Sequence, residues 1–289
     1  MLDQVTVVIP TKDRSRVLTP LINSVLKNSK VKTVFILNNS ASKIRLSANL
    51  DARVKVYNLP DLNLLQAKNY ISGFIATRWV LILDDDIRIN PDVIDSFINY
   101  SKNYYFDIAS GILTEENRYS YYDPVKFTKY GKYSFYGVPS LNTENLPAKY
   151  PYRAQVVPGG FMFLRSFVLQ KISFDTNYLP PFYNEDSDFQ LTALKRGYIM
   201  LIFNDISALH LKHKSGGLRV YSKFSSDWWY ALGFNNIYFR VKNFNTYKLF
   251  LYFVFRPQDL IFVIRQKNLN FLVNFLLGQL YGYKKAKKG

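Results

Sequence analysis

Three consecutive carboxylates at the end of an apolar segment are the residues with the clearest chemical potential. Asp84–Asp86 directly follow Trp79–Leu83, and five apolar residues in a row are typical of a strand buried on both faces of a parallel sheet. Charged side chains do not enter a core without partners, so we expect them at the strand's carboxyl edge, where open α/β sheets bind ligands. Clustered carboxylates repel one another unless a cation lies among them, and oxygen ligands suit Mg²⁺ or Mn²⁺. The alternative is a solvated turn without a ligand.

A second acidic group offers general-base chemistry. Glu185, Asp186 and Asp188 follow Asn184. One explanation is structural, because Asn184 is suited to cap a helix and acids in the first turn interact favourably with the helix dipole. The other explanation is catalytic, because a carboxylate within hydrogen-bond reach of a hydroxyl can remove its proton. Helical spacing turns residue 186 about 100° away from residue 185, so each explanation applies to a different face of the helix.

These acidic groups need a scaffold that brings them together. Short apolar runs predict strands, and apolar residues at helical spacing predict the helices between them. This order is typical of βαβ units and a parallel sheet, with a nucleotide as the default ligand, so the predicted fold class is α/β. The predicted strands are Gln4–Pro10, Val31–Leu37, Arg53–Leu59, Trp79–Leu83, Ile108–Gly111 and Ile199–Phe203, and the predicted helices cover 17–26, 64–75 and the segment that begins at Asn90-Pro91-Asp92.

Four short motifs in this order carry a resemblance to a known family. Val7–Arg14 resembles the opening Ile-Pro-Thr-x-Asn-Arg of family 2 glycosyltransferases, which have the GT-A fold, and Ile36–Ser40 is similar to their Val-Asp-Asn-x-Ser. Gln66–Asn69 is similar to their Ala-Arg-Asn, and Leu83–Asp86 lies where they keep a metal-binding Asp-x-Asp. The resemblance covers Val5–His210. It implies a Rossmann-like mixed, mostly parallel sheet flanked by helices.

The resemblance implies a divalent metal site, with Mg²⁺ or Mn²⁺ as the cofactor. Asp84 and Asp86 would be ligands from the Asp-x-Asp position. His210 would be the third ligand, because it follows Ala208-Leu209 as the family histidine follows its apolar residues, and we prefer it to His213 for that reason. The alternative is a histidine with a purely structural role.

The resemblance also implies roles at the substrate. Asp186, in a segment similar to Glu-Asp-x-Asp-Phe, would be the catalytic base, with Glu185 as the neighbouring catalytic carboxylate. Asn38 stands where the family usually has an Asp that contacts the base, and an amide offers either a donor or an acceptor there. The implied donor-binding positions are Pro10, Thr11, Asp13, Arg14, Asn38, Lys68, Asp84 and Asp85, and the implied acceptor-side positions are Gly159, Gly160 and Asp188.

Two glycines lie in a further similar segment. Val156–Arg165 is similar to the family's Gly-Gly-x-x-Leu-x-Arg, which borders the donor sugar and the acceptor. Gly159 and Gly160 would let the backbone approach a ligand closely. The alternative is a structural bulge.

Composition restricts the classes of protein to which this chain can belong. The 289 residues include no cysteine, which excludes disulfides, thiolate metal sites and cysteine nucleophiles. The net charge is +17, and residues 190–289 carry 16 Lys and Arg against three acids. Such an excess favours phosphate-rich partners. Met1–Pro10 carries no basic region of a secretory signal, so we expect a cytoplasmic protein, peripheral on the inner face of the cell membrane.

The C-terminal region differs in character from the rest. We predict a glycosyltransferase domain over residues 1–222 and an aromatic, basic helical region over 223–289. The apolar runs Leu249–Phe255 and Leu260–Ile264 are shorter than the roughly 18–20 residues that span a bilayer. With Lys284–Lys288 they predict helices that lie in an anionic membrane interface. The alternative is a helical subdomain that packs on the core or forms a dimer interface.

The predicted function is transfer of a sugar from a nucleotide-diphosphate sugar to a hydroxyl of a glycan or lipid-linked acceptor, with inversion and with metal dependence. Nucleic acid is not an expected partner, and an oligomer is open. A nucleotidyltransferase is one rival, but it should have a Gly-rich basic loop where this chain has Pro10–Arg14. A non-catalytic membrane-surface protein is the other, and it leaves the polar residues at the strand ends unexplained.

Overall fold

A central mixed sheet organises the described part of the chain. The computed structural model describes residues 3–44, 51–115, 128–141, 146, 151–211, 217, 225–255 and 257–288. Within these residues nine strands form the sheet, and β7 and β8 form a separate hairpin. The strands are β1 (Val5–Thr11), β2 (Val31–Asn38), β3 (Val54–Asn58), β4 (Trp79–Leu83), β5 (Ile87–Ile89), β6 (Ile108–Glu115), β7 (Lys132–Tyr133), β8 (Pro139–Ser140), β9 (Tyr152–Arg153), β10 (Phe161–Arg165) and β11 (Met200–His210).

Most of the paired residues in the sheet belong to parallel strand pairs, as the sequence predicts. The strand order is β3-β2-β1-β4-β10-β6-β11-β5, with β9 also paired to β11. The first four strands are parallel to one another. β10 runs antiparallel between β4 and β6, and β11 is again parallel to β6. The predicted α/β class with a mixed, mostly parallel sheet is confirmed.

Helices cover both faces of the sheet. Successive residues of β1 point to opposite faces, so Val7 and Val8 lie in two different apolar clusters. All five residues of β4 are buried, which explains its uninterrupted apolar sequence. The helices are α1 (Ser15–Leu26), α2 (Leu64–Ser72), α3 (Asp92–Asn103), α4 (Ser166–Lys171), α5 (Glu185–Lys195), α6 (Ser226–Asn243), α7 (Thr246–Phe255), α8 (Gln258–Arg265) and α9 (Leu269–Lys288).

Two strands differ from the prediction in a way that affects the site. The acidic turn does not pass directly into α3, because β5 lies between them and pairs with the end of β11. β11 also runs well beyond the predicted Ile199–Phe203. In this register Ile87 lies opposite His210, so the pairing brings the histidine next to the acidic turn. A three-residue strand is too short to give a periodic signal of its own.

The C-terminal helices pack on the rest of the protein through α6. Asn235 is fully buried, and its side chain bonds both the backbone N–H and the carbonyl of Leu179. Tyr238 donates its hydroxyl to Asp175 at 2.7 Å. α9 in turn lies against α6 at glycines, since a Cβ at Gly278 would be 2.1 Å from the carbonyl oxygen of Tyr230. Among the described residues, no helix is both long and apolar enough to cross a membrane.

Candidate active site

A cavity of about 960 Å³ lies where the carboxyl ends of β1 and β4 meet the start of α5. This is the sheet edge at which open α/β folds bind ligands. Most of the predicted site residues line it: Pro10, Thr11, Arg14, Lys68, Asp84, Asp85, Asp86, Gly159, Glu185, Asp186 and His210.

Arg14 anchors two of the three consecutive carboxylates. Its Nη1 atom donates to Asp85 Oδ1 at 2.6 Å and to Asp86 Oδ2 at 2.9 Å. Thr11 donates its hydroxyl to the other oxygen of Asp85 at 2.7 Å. Burial raises the pKa of Asp85, and the guanidinium of Arg14 opposes that shift. Asp85 is therefore held by protein donors on both of its oxygens.

Asp86 faces the histidine at the end of β11. The Nε2 atom of His210 lies 3.2 Å from Asp86 Oδ1, and the backbone N–H of Leu211 donates to the carbonyl of Asp86 at 2.8 Å. Burial alone would raise the pKa of Asp86, but His210 and Arg14 outweigh it and bring that pKa down to about 2. Asp86 is thus ionised at neutral pH, as a metal ligand needs to be.

Asp84 lies against Gly160, which directly precedes β10. Its backbone N–H donates to the carbonyl of Gly160 at 3.0 Å, and a Cβ at Gly160 would be 2.3 Å from Asp84 Oδ2. Although Asp84 is exposed to the cavity, the surrounding protein displaces bulk water and raises its pKa to about 7, while Lys68 opposes the shift. A larger residue at position 160 would therefore displace this carboxylate.

Lys68 joins the two predicted catalytic acids. A capping box of Asn63 and Gln66 begins α2 and places Lys68 one turn later, where it is buried. Its Nζ atom lies 3.1 Å from Glu185 Oε1 and 3.1 Å from Asp186 Oδ1. Burial raises the pKa of Glu185 well above its usual value, and the neighbouring Asp186 adds to this shift. One lysine therefore serves two carboxylates.

Asp186 faces the cavity, whereas Glu185 is buried behind it. The side chain of Asp186 is 31% exposed and that of Glu185 is 7% exposed. Asp186 rests directly on the backbone, since a Cβ at Gly159 would be 1.9 Å from Asp186 Oδ2. The close approach that we predicted for the two glycines is thus made by carboxylates of the chain itself. Of the two acids, Asp186 is the one that a substrate can reach.

The structure does not bring four of the predicted residues to the cavity wall. Gly160 lies behind Asp84, and the backbone N–H of Asp13 donates to Ser40. Asn38, predicted to contact the base of the donor, is fully buried. Its amide donates to the carbonyl of Ser42 and to the side chain of Asn58, and it accepts from the N–H of Ser40.

Asp188 is the fourth residue, and its carboxylate points to α6 instead of the acceptor side. It accepts from Lys242 at 2.7 Å and from Asn243 at 2.6 Å, and the residue is 2% exposed. Asn184 lies at the N-cap position of α5 as predicted, but the predicted capping bond of its side chain is wrong. Its backbone is left-handed at φ 71°, its side chain makes no capping bond, and its amide donates to Asn236 at 3.0 Å. The side chains of Asp188 and Asn184 are both positioned by residues of α6, which lies far along the sequence.

Trp228 and Tyr183 are site residues that the sequence reasoning missed. Both line the cavity, and their rings meet edge to face with centroids 6.2 Å apart. Trp228 belongs to α6, beyond the predicted end of the catalytic domain. The only sequence signal was the aromatic pair Trp228-Trp229 at the start of a helix capped by Ser225.

The predicted metal ligands converge only in part. Within the residues that the structure describes, no three His, Asp or Glu side chains form a ready cation site. Asp86 and His210 face each other at 3.2 Å, while Asp84 lies at Gly160. His213 lies outside the described residues. Carboxylate oxygens suit both Mg²⁺ and Mn²⁺, while an imidazole nitrogen suits a transition metal, so the chemistry of these donors fits Mn²⁺ better than Mg²⁺.

Three solved structures illustrate which proteins this chain resembles in fold. S. aureus TarS 1-349 superposes with a TM-score of 0.52 at 14% identity, covering 96% of this chain and 72% of TarS 1-349. GalNAc-T7 with UDP, GalNAc and Mn²⁺ gives a TM-score of 0.57 at 15% identity, covering 83% of this chain and 50% of that one. The mannosyltransferase PcManGT from Pyrobaculum calidifontis, in complex with GDP-Man and Mn²⁺, gives 0.52 at 11% identity, with 81% and 62% covered.

Sheet order, helices on both faces and the acidic carboxyl edge therefore define a GT-A fold. The model of the family described as glycosyl transferase family 2 matches residues 6–173, more than half of the chain. The chain belongs to this family and is a glycosyltransferase. No curated protein sequence matches it significantly.

Proposed function

We propose that this protein transfers a sugar from a nucleotide-diphosphate sugar to a hydroxyl of a glycan or glycolipid, with inversion at the anomeric carbon. The observation that carries the proposal is the pairing in one cavity of two acidic groups with different environments. Asp84–Asp86 lie at the β4 edge, and Asp186 lies across Gly159 on α5. Three similar structures, those of TarS, PcManGT and GalNAc-T7, have been solved with UDP-GlcNAc, with GDP-Man and with UDP and GalNAc.

In this proposal Asp186 is the general base. Its carboxylate takes the proton from the acceptor hydroxyl while that oxygen bonds to the anomeric carbon. The bond from this carbon to the diphosphate breaks in the same step, and its electron pair leaves on the nucleoside diphosphate. Lys68 and Gly159 fix the position of the base, since they contact it from two sides.

A divalent cation completes the proposed donor site. Asp86 and His210 would hold Mn²⁺ or Mg²⁺, with Asp84 nearby, and the cation would neutralise the negative charge of the leaving diphosphate. Arg14 holds Asp85 and Asp86 in place, so its charge is committed to the carboxylates. Structures of PcManGT and GalNAc-T7 contain Mn²⁺, which supports a metal in this fold.

Release of nucleoside diphosphate from UDP-, GDP- and dTDP-sugars, with Mn²⁺ and with excess EDTA, tests the function. We expect turnover with one nucleotide class that EDTA abolishes. Asp186→Asn should lose about 10²-fold or more, the scale of general-base catalysis, while it still binds the donor. Asp188→Asn is the matched control, because it removes a carboxylate that does not line the cavity. Glu185→Gln is compared as well, since Glu185 is the other acid that Lys68 contacts. Full turnover of Asp186→Asn would contradict the assignment of the base.

A further inference from the structure

The last three helices carry most of the exposed apolar side chains in the described part of the chain. Of the 25 large apolar or aromatic side chains that are exposed in the described part of the chain, 16 lie between Tyr247 and Tyr283. They occur on all three helices, as Phe250, Ile261 and Leu280 illustrate with 62%, 40% and 48% exposure. Soluble proteins rarely expose so many large apolar side chains in one region without a partner.

The same helices are strongly basic. Residues 244–289 carry eight Lys and Arg against one acid, Asp259. The carboxylate of Asp259 is engaged inside the protein, by the amide of Asn236 at 3.2 Å and the hydroxyl of Tyr252 at 2.5 Å. Lys284–Lys288, at the end of α9, includes four exposed lysines. Apolar side chains beside uncompensated positive charge are the signature of a helix at an anionic lipid interface.

A row of aromatic rings connects this surface to the cavity. Tyr183 and Trp228, both in the cavity wall, are 6.2 Å apart between ring centroids. Trp228 contacts Trp229 at 4.8 Å, and Trp229 contacts Phe262 of α8 at 5.4 Å. Phe262 is itself 45% exposed. The cavity and the apolar surface are therefore neighbours.

We propose that α7–α9 dock this protein on an anionic lipid bilayer, with their exposed apolar side chains among the headgroups, and that the acceptor in the adjoining cavity is lipid-linked. The second half of this proposal rests on the proposed glycosyl transfer, whereas the first half does not. None of the three helices is long and apolar enough to span a bilayer, so they lie in its surface.

Charge distinguishes a bilayer from a second copy of the chain. A symmetric dimer through α7–α9 would bring two strongly basic regions together, because an isologous interface pairs a surface with itself. Like charges at such an interface repel, while an anionic surface attracts every exposed lysine. The net charge of this region therefore favours lipid as the occupant.

Co-sedimentation with vesicles tests the docking. We expect the 289-residue chain to bind vesicles of phosphatidylcholine and phosphatidylglycerol, to bind phosphatidylcholine alone much more weakly, and to be released as NaCl rises. Changing Lys284, Lys285, Lys287 and Lys288 to Gln should weaken binding by about 10²-fold or more, at the known contribution of each basic residue. Changing Lys27, Lys32, Lys55 and Lys102 to Gln removes the same charge from exposed positions elsewhere and should change binding little.

Three outcomes would overturn the docking. One is equal binding to both kinds of vesicle at all salt concentrations. Another is that vesicle binding is weakened equally in the α9 lysine variant and in the control lysine variant. The third comes from a variant with Phe250, Leu277 and Leu280 changed to Gln, each of which is at least 41% exposed and so should leave folding intact. If this variant converts a dimer to a monomer while vesicle binding persists, the surface is a subunit interface.

The acceptor half is tested with two probes that differ only in their tail. Methyl and dodecyl glycosides of the same sugar are compared as acceptors in the presence of phosphatidylglycerol vesicles, with release of nucleoside diphosphate as the readout. We expect the dodecyl glycoside to react at least about tenfold faster, and equal rates would overturn the lipid-linked acceptor. Donor binding is measured separately for the variant in which Lys284, Lys285, Lys287 and Lys288 are changed to Gln. A failure of glycosyl transfer is thereby distinguished from a failure of docking.

Discussion

Two glycines decide where the acids of the cavity can lie. A Cβ at Gly159 would be 1.9 Å from Asp186 Oδ2 and 2.6 Å from the Cβ of Asp186. Because even the Cβ is too close, a rotation of the carboxylate does not relieve the clash. Gly160 has the same relation to Asp84 at 2.3 Å, but there the Cβ of Asp84 is 3.2 Å away and the terminal oxygen can move. An added methyl group at position 159 should therefore displace its neighbouring acid more than one at position 160.

Gly159→Ala should lower turnover by about 10²-fold, because a shift of the base by about 1 Å costs that much when alignment determines the rate. The free energy of unfolding should change much less than the rate. Gly73→Ala is the matched control, since its Cβ would have no neighbour nearer than 3.9 Å. Steady-state kinetics and thermal unfolding of both variants decide the matter, and an unchanged rate for Gly159→Ala would show that Asp186 is not the base.

Lys68 contacts two acids, of which Glu185 is buried and Asp186 faces the cavity. Burial alone would lower the pKa of Lys68, but the charges of Asp186 and Glu185 outweigh it and raise that pKa. The pKa of Glu185 is nevertheless raised, since one ammonium group cannot neutralise two carboxylates. In Lys68→Met both acids would lose their cation, and the pKa of Glu185 would rise further.

Lys68→Met should therefore destabilise the protein by about 3–5 kcal/mol near pH 8, the cost of an unpaired buried charge. A raised pKa means that the folded state binds more protons than the unfolded state above the ordinary value of 4.5. Stability then falls as pH rises above that value, so the loss should be smaller at pH 5 than at pH 8. Denaturant unfolding at both pH values measures this, with exposed Lys55→Met as the control. A pH-independent loss would contradict the argument.

The sequence was sufficient for residues whose position follows from a single strand or helix. Asp84–Asp86 lie at the edge of β4 because a fully apolar strand has to end there. It was insufficient where a distant helix supplies the partner. Asp188 shares the first turn of α5 with Asp186, yet Lys242 draws it away from the cavity. Trp228 reaches the cavity because α6 packs against α5, and no local pattern in the sequence records that packing.

The strands and helices show the same contrast between elements with a local sequence signal and elements that depend on distant pairings. β4 has the predicted bounds, and β1, β2 and β3 lie within one or two residues of them, because a buried strand has a strong apolar signal. β5, β9 and the antiparallel insertion of β10 depend on pairings with strands far along the chain. The crossing of α6 and α9 likewise depends on three glycines that contribute no apolar periodicity, Gly233, Gly278 and Gly282.

Gly278→Ala should separate α6 from α9 and destabilise the protein by about 1–3 kcal/mol, the range for an overpacked contact. The added methyl group would lie 2.1 Å from the carbonyl oxygen of Tyr230, and backbone cannot move aside as a side chain can. Leu277→Ala, on the exposed side of the same helix, is the control and should be nearly neutral. Thermal unfolding by circular dichroism compares them, and equal melting temperatures would show that the crossing is loose.

At the scale of the whole molecule, α6 links the cavity to the C-terminal helices. This helix contributes Trp228 to the cavity, binds Asp188 through Lys242, and buries Trp229 against α8 and α9. The predicted division after residue 222 stays a prediction. The hydrogen bonds of α6 cross that division, so a cut at this position would separate groups that are in contact.

A chain that ends at Phe244 keeps α6 but loses the helices that cover it. Trp229 is fully buried in the intact protein, and Phe262, Phe271 and Phe275 supply its ring contacts from α8 and α9. Exposure of such a side chain and its neighbours costs about 3 kcal/mol or more. We therefore expect the shortened chain to melt at a lower temperature and to bind an apolar fluorescent dye that the full chain does not bind.

A chain that ends at Tyr283 is the matched comparison, because it loses the four terminal lysines and keeps Gly282 at the helix crossing. It should melt close to the temperature of the 289-residue chain, yet bind anionic vesicles weakly. The two truncations thus separate packing from charge: the first removes three packed helices, and the second removes the four lysines and, of the core contacts, only those of Ala286. If the chain that ends at Phe244 melts unchanged and still binds the donor, α7–α9 contribute nothing to the fold, and their apolar faces are available entirely to a partner.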